Sequence, residues 1–249
     1  MTIIKSFSVG NGDMFAIRHD SDNFTIIDCC ICDENRKRIF DDIQSMSFDK
    51  TIKRFISTHP DNDHIMGLKS LDKKFKILNF YCVKNEANKK EIDEDFQYYC
   101  ELRDSEKVFF IEKDCTRRWM NRDSNERKSA GIDILWPNIN DKNFINELKK
   151  AKNKESPNNI SPIILLKAHG INFMWMGDLT TDFMKEINID LPKVDVLFAP
   201  HHGRKSGSIP QEWLEKLKPN LVIIGEGSSN HLYYDYSKKK QYDNSKYCR

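Results

Sequence analysis

Four ionisable side chains stand within six consecutive positions of the stretch THPDNDHIMG, residues 58–67. They are His59, Asp61, Asp63 and His64, and they follow the apolar segment IKRFIS. Carboxylates this close repel one another unless a cation lies between them. Because imidazole and carboxylate groups are both ligands for divalent metal ions, the stretch predicts a metal-binding loop.

Further ligand types follow two other apolar segments. Asp178 comes directly after INFMWMG, and His201 and His202 follow VDVLFAP. Loops at strand ends commonly carry the functional site of sheet proteins, so we expect the three clusters to meet. Taken alone, Asp178 could be a helix N-cap and the histidine pair could lie on the surface. Both alternatives stay open.

The number of donors indicates more than one ion. Six or seven ligand groups exceed what a single tetrahedral zinc ion takes. They suit two divalent ions about 3.5–4 Å apart that share one carboxylate, and Asp178 is the residue we expect to bridge them. Such a pair of ions lowers the pKa of a shared water and stabilises charge on the attacking and leaving oxygens. The reaction class predicted is therefore metal-assisted hydrolysis.

The segments that would position these groups alternate between strand and helix patterns. Short β-branched and aromatic runs predict strands at TIIKSFSV, DMFAIRH and NFTIIDC. A charged helix is expected over residues 85–105 with Asn85 as its N-cap, and a hairpin is expected to turn at His169 and Gly170. Both halves of the chain begin with strands and then alternate strands with helices. This order predicts an α/β fold, a four-layer αββα sandwich of two mixed sheets with helices outside.

Composition limits the class of protein. The 249 residues suit one domain, predicted over 1–236, with a short C-terminal tail over 237–249. A net charge of +2 does not indicate a strongly basic surface that would bind a polyanion. No signal-peptide pattern and no apolar run of about 18 residues is found, and the seven cysteines form no paired framework. We therefore expect a soluble, cytoplasmic protein without membrane association.

The order of these motifs resembles the metallo-β-lactamase superfamily of hydrolases, and more narrowly its ComEC/Rec2-like branch. HPDNDH corresponds to the family's HxHxDH loop, with Asp61 in place of the second histidine, as is typical of that branch. VGNGD (residues 9–13), NNIS (158–161), GD (177–178) and PHHG (200–203) stand in the family's order. The resemblance extends over about residues 3–227.

The resemblance implies a centre with two divalent ions. The implied ligands are His59, Asp61 and Asp178 for one ion, and Asp63, His64, Asp178 and His201 for the other. His202 would either replace His201 as a ligand or act as an acid and phosphate contact beside it. The carboxylate of Asp61 makes the donor set harder, so the expected metals are Zn²⁺ or Mn²⁺, with Mg²⁺ as a further alternative.

Three residues are expected to contact substrate. Ser161 ends the NNIS segment, and Arg204 and Lys205 follow PHHG, where they could bind phosphate or form a plain exposed turn. Asp13 is expected to fix the loop beneath the site rather than to bind metal. The family's late NxYxHP motif is not matched, because residues 230–237 read NHLYYDYS.

These features predict a di-metal-dependent hydrolase, specifically a phosphodiesterase or nuclease that acts on a nucleic acid or a nucleotide. In the expected mechanism a metal-bridging hydroxide attacks phosphorus, Asp63 orients it, and His202 or a metal-bound water protonates the leaving oxygen. Trp119 and the arginines around it could form a loop that stacks on bases, or a plain solvent loop.

Two other functions stay open. The first is hydrolysis of a small ester, lactone or amide, which the donor set disfavours only weakly. The second is a regulatory module with a degenerate metal site that works with a protein partner. The complete set of ligand residues disfavours this second alternative, and the unmatched late motif favours it weakly.

Overall fold

A computed structural model describes residues 1–225. The predicted domain boundary at 236 and the segment 230–237 therefore lie outside the described residues. The strands are β1 (Ile3–Ser6), β2 (Phe15–Arg18), β3 (Asn23–Ile27), β4 (Cys29–Cys30), β5 (Ile52–Ile56), β6 (Asn79–Cys82), β7 (Val108–Phe110), β8 (Ile132–Trp136), β9 (Ile163–Ala168), β10 (Ile171–Trp175), β11 (Val196–Phe198) and β12 (Leu221–Ile223). The helices are α1 (Asp33–Ser47), α2 (Asn62–Ile65), α3 (Leu68–Phe75), α4 (Glu94–Arg103), α5 (Lys142–Lys152), α6 (Thr181–Glu186) and α7 (Gln211–Leu217).

All of these strands except β4, which forms isolated bridges with Ile65 and Met66, belong to two mixed sheets. The first has the order β1-β2-β3-β5-β6-β7, antiparallel from β1 to β3 and parallel from β3 to β7. The second has the order β12-β11-β10-β9-β8, antiparallel from β8 to β10 and parallel from β10 to β12. The predicted hairpin between β9 and β10 is confirmed, with positive φ at His169 (52°) and Gly170 (79°), as a two-residue hairpin turn requires.

Alternation along the strands of the first sheet separates two apolar layers. On β2, Phe15 and Ile17 point toward the second sheet, where the Phe15 ring lies 4.8 Å from that of Phe198. Met14 and Ala16 belong to a different cluster, which packs against helices α1, α3 and α4. Because side chains in a strand alternate between faces, one short segment serves both layers. Each large apolar side chain buried here contributes about 1.5–3 kcal/mol to folding.

Helices also cover the second sheet. The ring of Trp136 at the end of β8 lies 5.7 Å from Phe144 of α5 and 6.1 Å from Phe183 of α6. Trp213 and Leu217 of α7 join the same apolar cluster. The layers therefore follow the order helix, sheet, sheet, helix. The predicted α/β fold of two mixed sheets with helices outside is confirmed.

The predicted helix start at Asn85 is wrong. Helix α4 begins at Glu94, and its N-cap is Asp93, whose side chain accepts a hydrogen bond from the Phe96 backbone N–H. The Asn85 side chain instead donates to the Val83 carbonyl (2.7 Å) and to the Tyr99 hydroxyl (2.8 Å). Asparagine forms such turns as readily as it caps helices, and here its tertiary partner Tyr99 favours the turn.

A helix that crosses a bilayer must be long and apolar. Within residues 1–225, no helix combines the length and the apolar character that a bilayer crossing requires.

Candidate metal centre

The candidate ligands meet at one edge of the sandwich, where several strands end. Strand β5 leads into His59, β10 leads into Asp178, and β11 leads into the histidine pair at 201 and 202. Parallel neighbours such as β3 and β5 end at the same edge, and so do β10 and β11. The sheets thereby bring together side chains that are more than 140 positions apart in sequence.

The loop after β5 is shaped by one short helix and one glycine. Asp61 is the N-cap of α2, and this single turn carries Asp63 and His64. Gly67 then adopts φ 78°, and a Cβ placed on it would lie 2.7 Å from Ile31 Cβ. The glycine is therefore required both by its backbone conformation and by close packing against Ile31.

Four buried polar atoms converge without hydrogen bonds. They are Nε2 of His59, His64 and His202 and Oδ1 of Asp178, and none has a hydrogen-bond partner among residues 1–225. The Asp178 carboxylate lies between the three rings, 3.2 Å from His64 Nε2, 3.6 Å from His202 Nε2 and 3.9 Å from His59 Nε2. An unpaired buried polar atom costs about 1–3 kcal/mol, so this concentration at one point needs a compensating ligand.

The opposite nitrogens of His64 and His59 are hydrogen bonded to second groups, and that of His202 lies at ion-pair distance from a carboxylate. His64 Nδ1 lies 2.9 Å from Asp28 Oδ2, and His202 Nδ1 lies 3.3 Å from Asp13 Oδ1. His59 Nδ1 lies 3.0 Å from Thr58 Oγ1 and 3.3 Å from Ser161 Oγ. Carboxylates and hydroxyls in this position fix the orientation of metal-binding imidazoles and direct their Nε2 atoms toward the ion.

Asp28 is a buried carboxylate beside the candidate ligands that the sequence analysis did not assign to the site. It follows β3 with φ 54°, is buried, and accepts hydrogen bonds from the Thr58 backbone N–H (2.7 Å) and hydroxyl (2.6 Å). The same carboxylate contacts His64. The available signal was an acidic residue ending the apolar run FTIID, a position where burial demands a partner.

The two adjacent histidines have different environments. His202 is fully buried, and its Nε2 faces both Asp63 (3.3 Å) and Asp178 (3.6 Å). His201 is partly exposed, its Nδ1 lies 3.1 Å from Ser206 Oγ, and its Nε2 lies 3.7 Å from Asp178. Both adopt left-handed backbone conformations, with φ of 52° and 53°. This strain, about 1–3 kcal/mol per residue, is typical of functional loops.

Two further carboxylates approach from the α2 loop. Asp63 lies beside His202. Asp61 Oδ2 lies 3.8 Å from His59 Nε2, and its Oδ1 lies 3.8 Å from the ammonium of Lys89. Sequence reasoning missed Lys89, which stands in a segment with no recognisable motif and comes into position only through the fold.

The imidazoles differ in their affinity for protons. Burial, reinforced by the charge of His64, lowers the pKa of His59 to about 3. Burial also disfavours the charged form of His202, but the carboxylates of Asp13 and Asp63 outweigh it and raise the pKa to about 10. Asp178 and Asp28 likewise raise the pKa of His64 against the effect of burial. Protons on these two rings thus balance the carboxylates where a metal ion would otherwise do so.

Asp178 and Asp63 are correspondingly acidic. Burial alone would raise the pKa of Asp178, but the charges of the surrounding imidazoles, His64 first, hold it below its ordinary range. Burial also opposes ionisation of Asp63, and contact with His202 lowers its pKa. Both carboxylates are therefore available as anionic ligands.

Asp13 has a larger part than the sequence predicted. Its backbone N–H donates to the Asp63 carbonyl (3.1 Å), which fixes the loop as expected. A Cβ on the preceding Gly12 would lie 2.6 Å from the same carbonyl, so only glycine permits this approach. The Asp13 side chain also turns inward, and its carboxylate forms a group with His64, Asp178 and His202 whose candidate ligand atoms all lie within 4.8 Å of one another.

The three residues predicted to contact substrate occupy different positions. Ser161 is fully buried, and its hydroxyl accepts a hydrogen bond from the Asp178 backbone N–H (3.2 Å), so it supports ligands rather than facing solvent. Arg204 lies at the rim, where it donates to Asn11 (2.7 Å) and its Nη1 lies 3.4 Å from His201 Nε2. Lys205 is exposed. These three roles stay predictions.

The arginine-rich loop around Trp119 lies away from this edge. Its Arg127 carbonyl accepts a hydrogen bond from Asp22, just before the start of β3, whereas the site follows the end of β3. Arg118 and Arg127 both lie over the Trp119 ring, at 4.8 and 5.5 Å from its centroid. The predicted stacking loop would therefore act at the opposite end of the sandwich from the candidate ligands.

The residues present fit divalent metal ions. The donors are imidazole nitrogens and carboxylate oxygens, the orphaned atoms share one focus, and second groups hold three of the rings. This mixed nitrogen and oxygen donor set suits Zn²⁺ and Mn²⁺, and its carboxylates also suit Mg²⁺. The predictions of which residues bind which ion, and of two ions rather than one, stay predictions.

Comparison with known proteins gave one partial relative and several structures. No protein-family model matches the chain. Over 94 residues the chain is 32% identical to ComE operon protein 3 of Bacillus subtilis (strain 168). This match covers 37% of the chain but only 12% of the relative.

The similar solved structures have low sequence identity. CmlA, a diiron β-hydroxylase from Streptomyces venezuelae, has a TM-score of 0.49 and 12% identity, over 96% of this chain and 48% of CmlA. A metallo-β-lactamase from Staphylococcus aureus has a TM-score of 0.36 and 14% identity, over 72% of this chain and 44% of its own. The metallo-β-lactamase GOB-18 from Elizabethkingia meningoseptica has a TM-score of 0.36 and 14% identity, over 75% and 74% of the two chains.

These comparisons can be set beside the family resemblance of the sequence motifs. The chain spans less than half of CmlA and about an eighth of the Bacillus protein, so neither activity transfers as a whole. The two mixed sheets, the ligand loops at their shared edge and the partial match to ComE operon protein 3 agree with the metallo-β-lactamase fold and its ComEC-like branch.

Proposed function

We propose that this protein is a metal-dependent hydrolase of phosphodiester bonds, which acts on a nucleic acid or a nucleotide. One observation carries the proposal: three imidazole nitrogens and a carboxylate oxygen, all buried, face one point without hydrogen-bond partners among the described residues. Buried polar atoms are rarely left without partners, and bound cations would satisfy all four.

The proposed ligands are those that the family resemblance implies, and the distances between them support the set. His59, Asp61 and Asp178 would hold a first ion, and Asp178 would bridge to a second ion held by Asp63 and His64. For the remaining ligand of the second ion we favour His202 over His201, because its Nε2 is the more buried and lies nearer to Asp63 and Asp178. His201, at the rim, would then face the substrate.

The bound ions and the side chains of the protein would have different roles in the reaction. Bound divalent ions would lower the pKa of water and neutralise charge on a phosphoryl group, which is the reason two-metal centres recur in phosphodiesterases. Asp63, which contact with His202 keeps anionic by lowering its pKa, would orient the attacking water by accepting a hydrogen bond from it. Asp28 and Asp13 would keep the rings of His64 and His202 aligned throughout.

The preference for phosphate rests on the donor set. Asp61 occupies the position where the superfamily has a histidine, and carboxylate ligands favour harder ions that bind phosphate oxygens. Partial similarity to ComE operon protein 3 supports placing the chain near that branch, but its 94 residues name no substrate. A cytoplasmic location and a nucleic acid substrate both stay predictions.

The test is hydrolysis by protein loaded with Mn²⁺ or Zn²⁺. We expect turnover of bis-p-nitrophenyl phosphate and no turnover of nitrocefin or of a lactone. Asp178→Asn should abolish this turnover, and Lys69→Met, a change at an exposed ion pair with Glu94, should leave it unchanged. The reverse preference, lactone or nitrocefin over phosphodiester, would support the small-ester alternative instead. Absence of metal after saturation and dialysis would support the regulatory module.

A further inference from the structure

Lys89 is a cation at the rim of the centre that the metal chemistry above does not use. It belongs to the coil between β6 and α4, and its side chain is 18% exposed. The ammonium nitrogen itself lies over the Phe96 ring, 5.0 Å from the ring centroid. The side chain is thus largely covered, and its charged end lies beside the partly exposed Asp61 at the rim of the site.

The coil that carries Lys89 is fixed by its own hydrogen bonds. Asn85 ties it to Tyr99 and to the Ala87 backbone N–H. The Asn88 backbone N–H donates to the Ala151 carbonyl (3.0 Å), and the Asn88 side chain accepts from the Lys89 backbone N–H (2.8 Å). The position of the ammonium is therefore set before any ligand arrives.

The ammonium has more donors than it uses. Its hydrogen bond within residues 1–225 goes to Asn62 Oδ1 (2.5 Å), and Asn62 is held in turn by Asp93 (2.7 Å). Burial lowers the pKa of Lys89, and the Asp61 carboxylate, 3.8 Å away and too far for a hydrogen bond, opposes this shift by favouring the charged form. Since an ammonium carries three N–H donors, it can still donate to an incoming anion.

Asp61 connects this cation to the ligand cluster. One oxygen of Asp61 lies 3.8 Å from Lys89 Nζ, and the other lies 3.8 Å from His59 Nε2. An anion bound where His59 and Asp61 point would therefore be within reach of the ammonium. The centre otherwise presents the carboxylates of Asp61, Asp63 and Asp178, which repel an anionic substrate wherever they are not neutralised.

We propose that Lys89 is a specificity-determining residue that binds a non-bridging oxygen of the substrate phosphate on the His59 and Asp61 side of the centre. The inference rests on the proposed function, because it names how that site would select phosphate over a neutral ester or lactone. A charge-assisted hydrogen bond from a pre-positioned ammonium has the strength that such selection needs.

The competing role is neutralisation of Asp61 alone. In that case, removal of the ammonium would strengthen metal binding beside Asp61, since a competing cation would be gone. Phosphate affinity would not change. The two roles thus predict different results for phosphate affinity and for metal affinity, and both can be measured without turnover.

The experiment measures binding of inorganic phosphate to Mn²⁺-saturated protein by isothermal titration calorimetry. Lys89→Met and Lys89→Gln are compared with wild type and with the control Lys69→Met, and circular dichroism melting verifies that each variant is folded. We expect the phosphate Kd to rise about tenfold in both Lys89 variants and to stay within twofold in the control. Turnover of bis-p-nitrophenyl phosphate should show a raised KM with kcat little changed.

Equal phosphate affinity in wild type and both Lys89 variants would overturn the inference, and so would the absence of phosphate binding to wild type. Tighter Mn²⁺ binding with unchanged phosphate affinity would assign the neutralising role instead. Phosphate binding that depends on Lys89, in a protein that does not hydrolyse phosphodiesters, would leave the inference standing and refute the proposed reaction.

Discussion

Two polar clusters lie between the sheets at opposite ends of β3 and β5. The site cluster (Asp13, Asp28, His59, Asp61, Asp63, His64, Asp178 and His202) lies where β3, β5, β10 and β11 end. The far-end cluster (His19, Asn23, Thr25 and Arg54) lies nearer the beginning of β3 and is buried. Most side chains of the site cluster are also buried, but the two clusters differ in how their buried polar atoms are paired.

The far-end cluster satisfies itself. Thr25 Oγ1 lies 2.9 Å from His19 Nε2 and accepts a hydrogen bond from Arg54 Nη1 (3.0 Å), and Arg54 Nη2 donates to Asn23 Oδ1 (3.2 Å). Among the described residues, one polar atom of this cluster, Arg54 Nε, has no partner. In the site cluster, by contrast, the unpaired atoms are several and point at one another.

His19 and His202 show the same contrast. Burial and the positive charge of Arg54 lower the pKa of His19 to about 3, so this ring stays neutral. In the site cluster, the carboxylates beside His202 overcome burial and raise its pKa to about 10, whereas burial prevails at His59 and lowers its pKa to about 3. Burial alone therefore does not decide the state of a histidine, because the number and distance of neighbouring carboxylates also count.

The largest expected effect is at the centre of the site cluster. Replacing Asp178 by Asn removes the anion between the three rings while preserving its size, so metal affinity and turnover should both fall. We expect phosphodiesterase activity to drop on the order of 1,000-fold. Metal content measured by mass spectrometry after dialysis should fall with it. Full retention of metal by this variant would mean that the ion binds elsewhere.

A smaller effect is expected at Asp28, which contacts the candidate ligand His64. The change Asp28→Asn keeps the hydrogen bonds to Thr58 in part but removes the charge that orients His64, so metal affinity should weaken about 10–100-fold. Competition with a fluorescent chelator measures this change. Asp49→Asn, which removes an exposed partner of Arg18, is the matched control and should leave the affinity unchanged. Similar losses in both variants would point to a general effect of charge.

The far-end cluster should respond in stability and not in metal binding. Thr25→Val keeps the shape of the side chain but leaves His19 Nε2 without its hydrogen-bond partner and one Arg54 N–H without its acceptor. The free energy of unfolding should fall by about 2–4 kcal/mol, as measured by urea denaturation. Metal affinity of the folded fraction should match wild type. A large loss of metal affinity would show that the two clusters are coupled through β3.

The smallest expected effect is the pH dependence contributed by His19. Its pKa is about 3 in the folded chain and about 6.5 when unfolded, so below pH 6.5 the unfolded chain takes up a proton that the folded chain does not. This contribution to stability is complete above pH 6.5 and is lost as the pH falls toward 3. Between pH 7.5 and 5, wild type should lose about 2 kcal/mol more than His19→Gln in chelator-treated samples. Equal losses would mean that His19 is protonated in the fold.

The contrast also shows what sequence can predict. The loop with His59, Asp61, Asp63 and His64 was recognisable because these four ligand types stand within six positions after an apolar strand. The alternation of strands with helices predicted the two sheets. Asp178 could be added because ligand types at strand ends converge when the strands are parallel.

The remaining features depend on tertiary contacts that no local pattern contains. The choice between His201 and His202 depends on which of two neighbouring left-handed residues turns inward. Asn85 was misassigned because Tyr99, fourteen residues away, provides its partner. Asp28 had a local signal, the end of an apolar run, but its contact with His64 depends on the fold, and Lys89 has no local signal for its position beside Asp61.

The most direct test of the central claim is anomalous diffraction from crystals soaked in Mn²⁺ or Zn²⁺. We expect anomalous peaks within coordination distance of the Asp178 carboxylate, one beside His64 and His202 and one beside His59 and Asp61, and no peak at the far-end cluster. Crystals that bind metal only at exposed residues, with the three Nε2 atoms still unligated, would contradict the account.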